Sequence, residues 1–336
     1  MTYDIKTRSL VLAAGFAMAS GLLAACGGSE DGGDDTAESG SAEGGTRTVE
    51  HALGDVTIPA EPTRIVALDE LSALSALAAG SEPMVVFASL GDTVAADILR
   101  DAGLDVREAE ILSLPSREAL LALEPDLIVG TGADAPVGLQ HEELSAVAPT
   151  AVLGIEGEWR DITVDAAAIF AAEDAGERQV AAIEAQLAAA DAATEDGDTL
   201  AMIGFTTETF TMPPHSPSST LIAEAGFTRP ESEQVENDSY SAPFSMELLL
   251  EHDADIIVIP DGPGAAAAEI TGQELFNELT GTTVHPVAQQ WWGNSAFSFW
   301  VTATDLRTLA EGGTDVLRSE DLVSEWSTFL HTAAGS

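Results

Sequence analysis

What most restricts the fold of this chain is a unit that recurs from residue 64 onward: a short aliphatic run, a helical pattern of about ten residues, and a glycine. Residues 64–68 (RIVAL) read as a strand and 71–79 as a helix stopped by Gly80, since glycine suits the left-handed residue that ends a helix. Residues 84–88 (MVVFA) and 93–102, stopped by Gly103, repeat the unit. Further strands follow at 127–129 and 151–155, separated by a helix around 142–147. Strands alternating with helices of this length predict a parallel sheet wrapped by helices, with any ligand beyond the carboxyl ends of the strands.

Residues 162–193 contain scarcely a helix breaker, only Gly176. At 1.5 Å per residue such a helix spans about 45 Å, longer than one lobe needs, so it is expected to bridge two. Beyond it the alternation resumes at 200–205, 221–225 (closed by Gly226), 246–252 and 256–259. An internal echo at an offset of 129 supports two related lobes. Residues 116–130 (SREALLALEPDLIVG) lie over 245–259 (SMELLLEHDADIIVI) with seven of fifteen positions identical. Each copy offers a capping serine, an acid in the first helical turn (Glu118, Glu247), an apolar helix face, and an aspartate before a strand. Any helix-to-strand unit shares part of this pattern, but hydrophobic packing does not require the matching acids.

The segments before residue 48 are of another kind. Lys6 and Arg8 precede an apolar run over 10–25, too short for a membrane span and without a charged stop beyond it, which reads as a secretory signal. It ends in Leu23-Ala24-Ala25-Cys26, which resembles a bacterial lipobox with Cys26 as the acylated first mature residue. Residues 27–46 are Gly, Ser, Asp and Glu with almost nothing to bury, and read as an acidic tether. The expected organisation is therefore signal peptide 1–25, acylated cysteine and disordered tether 26–47, N-terminal lobe 48–160, interlobe helix 161–194 and C-terminal lobe 195–336. The first lobe begins with a hairpin, 48–53 and 56–59, turned at Gly54-Asp55.

Charge excludes whole classes of function. With 57 acidic against 12 basic residues the net charge is -45, which repels phosphate backbones and anionic lipid surfaces. Nucleic-acid binding is excluded, and the membrane is met only through the lipid. The single cysteine rules out internal disulfides and cysteine-based zinc sites. The six histidines are scattered, with no HxxxH pair, so a directly ligated metal is not expected. No GxSxG occurs, so a hydrolase is not expected either.

Lipobox, tether, VEHALGDVTIPAEPTRIVALDE (49–70), EALLALEPDLIVG (118–130), the long mid-chain helix and SMELLLEHDADIIVIP (245–260) together resemble the substrate-binding lipoproteins of bacterial ABC importers for iron-siderophores. The resemblance implies two α/β lobes with parallel sheets joined by a single long backbone helix. It further implies a monomeric, non-enzymatic protein without a cofactor, lipid-anchored on the outer face of the cytoplasmic membrane. Such a protein holds a ferric siderophore between its lobes and delivers it to a permease dimer and its ATPase. In relatives one glutamate on each lobe docks with permease arginines, and the motif matches place these at Glu118 and Glu247. The plainer reading makes both simple helix-start acids.

Ligand contacts are expected in segments that follow strands. The candidates are Trp159, Arg160, Phe210, His215, Tyr240, Trp291, Trp292 and Phe297, with Asp69, Glu70, Ser89, Leu90, Thr131, Thr206 and Thr207 in the same loops. Indole faces suit a bulky, partly apolar chelate and accept a cation over the ring. One member of a Trp291-Trp292 pair is nonetheless expected to point inward, and Trp326 to be core. Only Arg160 and Arg229 occupy loop positions, so a neutral or cationic ferric hydroxamate is favoured over an anionic catecholate. Cobalamin or haem within the same importer class, and a non-transport surface lipoprotein with a protein partner, remain the alternatives.

Overall fold

The computed structural model describes residues 45–235 and 241–335. The signal segment, Cys26, most of the tether and Tyr240 lie outside the described residues. The hairpin is present as β1 (Thr46–His51) and β2 (Gly54–Pro59), paired antiparallel with Val49 opposite Val56. Its turn is Ala52-Leu53 rather than Gly54-Asp55. Gly54, at φ 115°, opens β2 as the partner of His51, whose Nδ1 accepts the Leu53 N–H at 3.2 Å.

The first lobe continues as β3 (Ile65–Ala67), α1 (Glu70–Ala78), β4 (Val85–Ala88), α2 (Thr93–Asp101), β5 (Val106–Glu108), α3 (Arg117–Leu123), β6 (Leu127–Thr131), α4 (Pro136–Leu139), α5 (His141–Ser145) and β7 (Thr150–Leu153). Its sheet runs β5-β4-β3-β6-β7, parallel throughout as expected. Asp69, Asp92 and Ser116 cap α1, α2 and α3 with side-chain oxygens, which fixes where each helix starts.

Two helices replace the expected single one over 162–193: α6 (Trp159–Ala168) and α7 (Glu173–Ala193). The interruption is tertiary in origin. Ile169 and Phe170 are buried while Ala171 turns the chain at φ 55°, a conformation that costs an L-residue about 1–2 kcal/mol. Arg47, reaching over from the hairpin, donates to the carbonyls of Ala168 and Ile169 and closes the end of α6. Gly176 lets α7 fold back onto α6, since a Cβ there would lie 2.9 Å from the Ala167 Cβ.

The second lobe comprises β8 (Leu200–Phe205), β9 (Thr209–Thr211), α8 (Pro217–Glu224), β10 (Ala242–Pro243), a 3-10 helix (Met246–His252), β11 (Ile256–Val258), α9 (Ala267–Thr271), β12 (Thr282–Val284), α10 (Ala288–Trp291), α11 (Ala296–Ala310) and α12 (Ser319–Ala333). Its sheet, β10-β9-β8-β11-β12, is mixed and not wholly parallel: β8, β11 and β12 are parallel, whereas β9 is antiparallel to both β8 and β10. Only Thr206 to Glu208 separate β8 from β9, and so short a connection permits nothing but a hairpin.

Both sheets are buried on both faces. Along β3 and β6, Ile65, Ala67, Leu127 and Val129 face one core, and Val66, Leu68 and Ile128 the other. Along β8 and β11, Met202 and Val258 divide in the same way from Ile203 and Ile257. The inner faces of the two sheets drain into one continuous core that takes in Trp159, Ile183, Leu187, Phe299, Leu306 and Phe329 from the helices between them. The lobes thus share a hydrophobic spine.

The echo has a structural counterpart. Asp126 accepts the N–H groups of Thr63 and Arg64, each at 2.9 Å, just ahead of β3; Asp255 accepts the Thr199 N–H at 3.0 Å, just ahead of β8. Each aspartate therefore pins the start of the neighbouring parallel strand. Ser116 caps its helix but Ser245 makes no cap hydrogen bond, and the second copy winds as a 3-10 helix.

Candidate functional site

At the carboxyl ends of the first sheet, several side chains expected in the pocket are spent on the fold. Asp69 accepts the Ser72 N–H at 2.7 Å, and from Thr131 both the N–H at 2.7 Å and the hydroxyl at 2.8 Å, which ties the β3 exit to that of β6. Ser89 donates to the Leu68 carbonyl at 2.7 Å. Glu70, wholly buried, accepts the N–H groups of Leu90 at 2.9 Å and Asp92 at 3.0 Å. Burial pushes its carboxyl up to about 7, with Asp69 and Asp92 adding repulsion. Burial raises Asp69 and Asp92 as well, against the hydrogen bonds each receives.

This knot meets the second lobe. Gln290, in α10 after β12, donates to Asp92 Oδ2 at 3.4 Å, so the carboxyl-end segments of the two sheets face each other. Gln290 is 2% exposed, and its Oε1 has no partner among the described residues. A second junction lies at Trp159 and Arg160, the first residues of α6. Arg160 binds Glu224 of α8 through two bonds of 2.7 and 3.0 Å and Glu184 of α7 at 2.7 Å. Its guanidinium stacks 4.2 Å from the centre of the Trp159 ring. Those carboxylates hold Arg160 charged throughout. Arg160 thus links α6 to α7 and α8 while its side chain stays 38% exposed, and Trp159 is fully buried against Phe299.

The other candidates separate by burial. Trp291 is fully buried, its indole donating at 2.8 Å to Asp305, whose carboxyl burial raises to about 7. Phe297 packs edge-on to Trp326 and against Phe329, in the core. Arg229 is buried and bonded to Glu233, the Met212 carbonyl and Thr211. Both arginines are therefore paired with carboxylates, Arg229 in the interior and Arg160 at a partly exposed junction. Trp292 is half-buried, 5.3 Å from the ring of Phe210, and His215 is exposed after two prolines. Phe210 is itself buried in the core, so among the described aromatic and histidine candidates only Trp292 and His215 keep part of their surface exposed. Sequence reasoning missed Asp92, Glu224 and Gln290; only Asp92 carried a signal, as a helix cap.

A cavity of about 720 Å³ opens beside the carboxyl ends of β6 and β7, between the hairpin and α6. Its floor is apolar, with Val152, Leu153, Ile162 and Ile169, while Glu50, Asp134, Glu156, Asp161 and Asp165 line it without any arginine or lysine. Burial raises Asp165, and repulsion from Asp161 and Glu50 adds to this. Among the described residues no group of three or more His, Cys, Asp and Glu side chains is arranged to hold a metal ion. No described helix is long and apolar enough to cross a membrane.

Glu118 and Glu247 stand in the first turns of α3 and of the 3-10 helix. Both helices return the chain from the carboxyl edge of one parallel strand to the amino edge of the next, so both starts sit on the rim where the sheets' carboxyl ends face each other. Each glutamate is exposed.

A family model described as periplasmic binding protein matches residues 65–280. The probable siderophore-binding lipoprotein YfiY of Bacillus subtilis (strain 168) is 29% identical over 255 residues, covering 72% of this chain and 76% of that protein. Among solved structures, the siderophore-binding protein BauB, bound to two molecules of acinetobactin and ferric iron, aligns with a TM-score of 0.64 at 21% identity, over 79% of this chain and 99% of that one. The petrobactin-binding protein YclQ of Bacillus subtilis aligns with a TM-score of 0.67 at 16% identity, over 80% and 99%. These likenesses give the fold as a pair of α/β lobes.

Proposed function

The chain belongs to the periplasmic binding protein family, and on that premise we propose that it captures a ferric siderophore between its lobes and delivers it to an ABC permease dimer and its ATPase for iron uptake. The observation that carries this reading is the facing of the two carboxyl-end rims across Asp92 and Gln290, above a spine shared by both lobes. Parallel sheets bind ligands at these ends. In this reading the protein's work is capture and release.

The favoured ligand is neutral or cationic, as ferric hydroxamates are. Arg160 and Arg229 are neutralised by carboxylates, and the nearby cavity is lined by five acids, so a polyanionic catecholate meets repulsion. The N-terminal segment supports an extracytoplasmic location, with acylated Cys26 as the anchor. Quenching of tryptophan fluorescence by ferrioxamine, a ferric tris-catecholate, cobalamin and haem tests the assignment. Saturable quenching by ferrioxamine, tighter than by the catecholate, is expected. Preferential binding of cobalamin or haem overturns the siderophore assignment; preferential binding of the catecholate overturns the hydroxamate preference.

A further inference from the structure

Large apolar side chains are rarely exposed among the described residues, and most of those that are lie in or just ahead of the two rim helices. Of the eight, three lie in the two rim helices (Leu121, Leu248 and Leu250) and two, Ile111 and Leu112, in the segment that leads into α3. Two of the five are the same position of the internal repeat. Each copy has a Leu-Leu pair, of which Leu120 and Leu249 are buried, at 1% and 0% exposure, and anchor their helices to the sheets. Leu121 and Leu250 point outward, at 48% and 39%. Each follows its glutamate by three residues, a spacing that puts acid and leucine on one face of either helix type. Neither Glu118 nor Glu247 takes a hydrogen bond or ion pair among the described residues.

Neither local structure nor core packing explains these side chains. Leu112 sharpens the point, since it is 57% exposed and also sits at φ 59°, where its Cβ is a disadvantage. A surface that repeats an apolar group beside an unpartnered carboxylate, once per lobe, fits a partner that twice presents a cationic group beside an apolar recess. A second copy of this chain would bring acid against acid, and an anionic lipid surface is repelled by the net charge. We propose that Leu121 and Leu250 are the apolar halves of a twice-repeated docking surface for the two symmetry-related subunits of the permease dimer. The proposal rests on the docking reading of Glu118 and Glu247 and adds to it the residues that desolvate the ion pairs.

The test measures binding of the full-length protein, loaded with ferrioxamine, to its permease and ATPase complex in nanodiscs. The variants are Leu121→Ser, Leu250→Ser, the pair together, and Glu118→Ala with Glu247→Ala. The double leucine variant is expected to bind the transporter at least tenfold more weakly, and each single variant by a similar, smaller factor. Ferrioxamine titration and thermal unfolding should stay unchanged. Wild-type transporter affinity in the double leucine variant overturns the proposal, and so does a loss confined to one leucine. If the glutamate variant also binds as the wild type does, the docking reading falls too; if only the leucine variant does, that reading stands without the apolar component.

Discussion

Lowering the pH from about 8 to about 5 is expected to stabilise this protein, because two buried carboxyls keep protons in the fold that the unfolded chain releases. Burial holds Glu70 at about 7 against an ordinary 4.5, and Asp305 at about 7 against 3.8. Both folded values are raised, so in the window between roughly 4 and 7 the folded state binds protons that the unfolded state has lost. Stability therefore falls as the pH rises through that window and levels off above about 7. At 1.36 kcal/mol per tenfold change in proton affinity, the contributions are about 3 kcal/mol for Glu70 and about 4 kcal/mol for Asp305. Between pH 8 and pH 5 about 5 kcal/mol of this is realised, a change in melting temperature on the order of 10 °C for a unit of this size. Thermal unfolding followed by tryptophan fluorescence at fixed ionic strength measures it. General repulsion among the surface acids and the raised carboxyls of Asp69, Asp92 and Asp165 act in the same direction, so Glu70→Gln and Asp305→Asn isolate the share of these two groups. Each carboxyl accepts two N–H groups, from Leu90 and Asp92 and from Trp291 and Leu317. An amide oxygen replaces only one acceptor, so each variant loses about 1–3 kcal/mol at high pH while its pH dependence flattens. A double variant that keeps the full wild-type slope refutes the reasoning.

Gly204→Ala places a Cβ 2.4 Å from the ring of Phe210, which must shift within the shared core. A loss of about 1–3 kcal/mol in chemical denaturation is expected, with altered Trp292 emission. The Arg160–Glu224 pair is partly exposed, so a double-mutant cycle with alanine should give a coupling of only about 1 kcal/mol; strict additivity contradicts the pairing. Asp126→Ala and Asp255→Ala should each cost about 1–2 kcal/mol, and to a similar degree, if both pin a strand. A stability loss for one without the other removes the structural meaning of the repeat.

Much of the fold was legible because it depends on local pattern. Aliphatic runs, helical patterns and terminal glycines marked β3, α1, β4 and α2 within a residue or two. The strands that escaped notice, β5, β9, β10 and β12, are two or three residues long and too short to show a period. The site was far less legible. An aromatic or an arginine near a strand end looks the same in sequence whether it faces solvent or core. Trp159, Trp291, Phe297 and Arg229 turned inward and Arg160 is held at a partly exposed junction, because partners distant in the chain, such as Glu224, Asp305 and Phe329, satisfy them there.

The sequence by itself determined that there are two related α/β halves and that both rim helices begin with an acid, since each copy of the repeat carries its acid, its apolar helix face and the aspartate ahead of its strand. Tertiary structure alone decided that the helical stretch between the halves breaks at Ala171. No glycine or proline stands there to break a helix, but burying Ile169 and Phe170 and capping α6 with Arg47 outweigh one strained backbone angle. Tertiary structure also decided which charges are available to a ligand. A carboxylate is solvated, clamped or buried according to neighbours that come from anywhere in the chain, and only the folded arrangement brings Asp92 to Gln290 and Arg160 to Glu224.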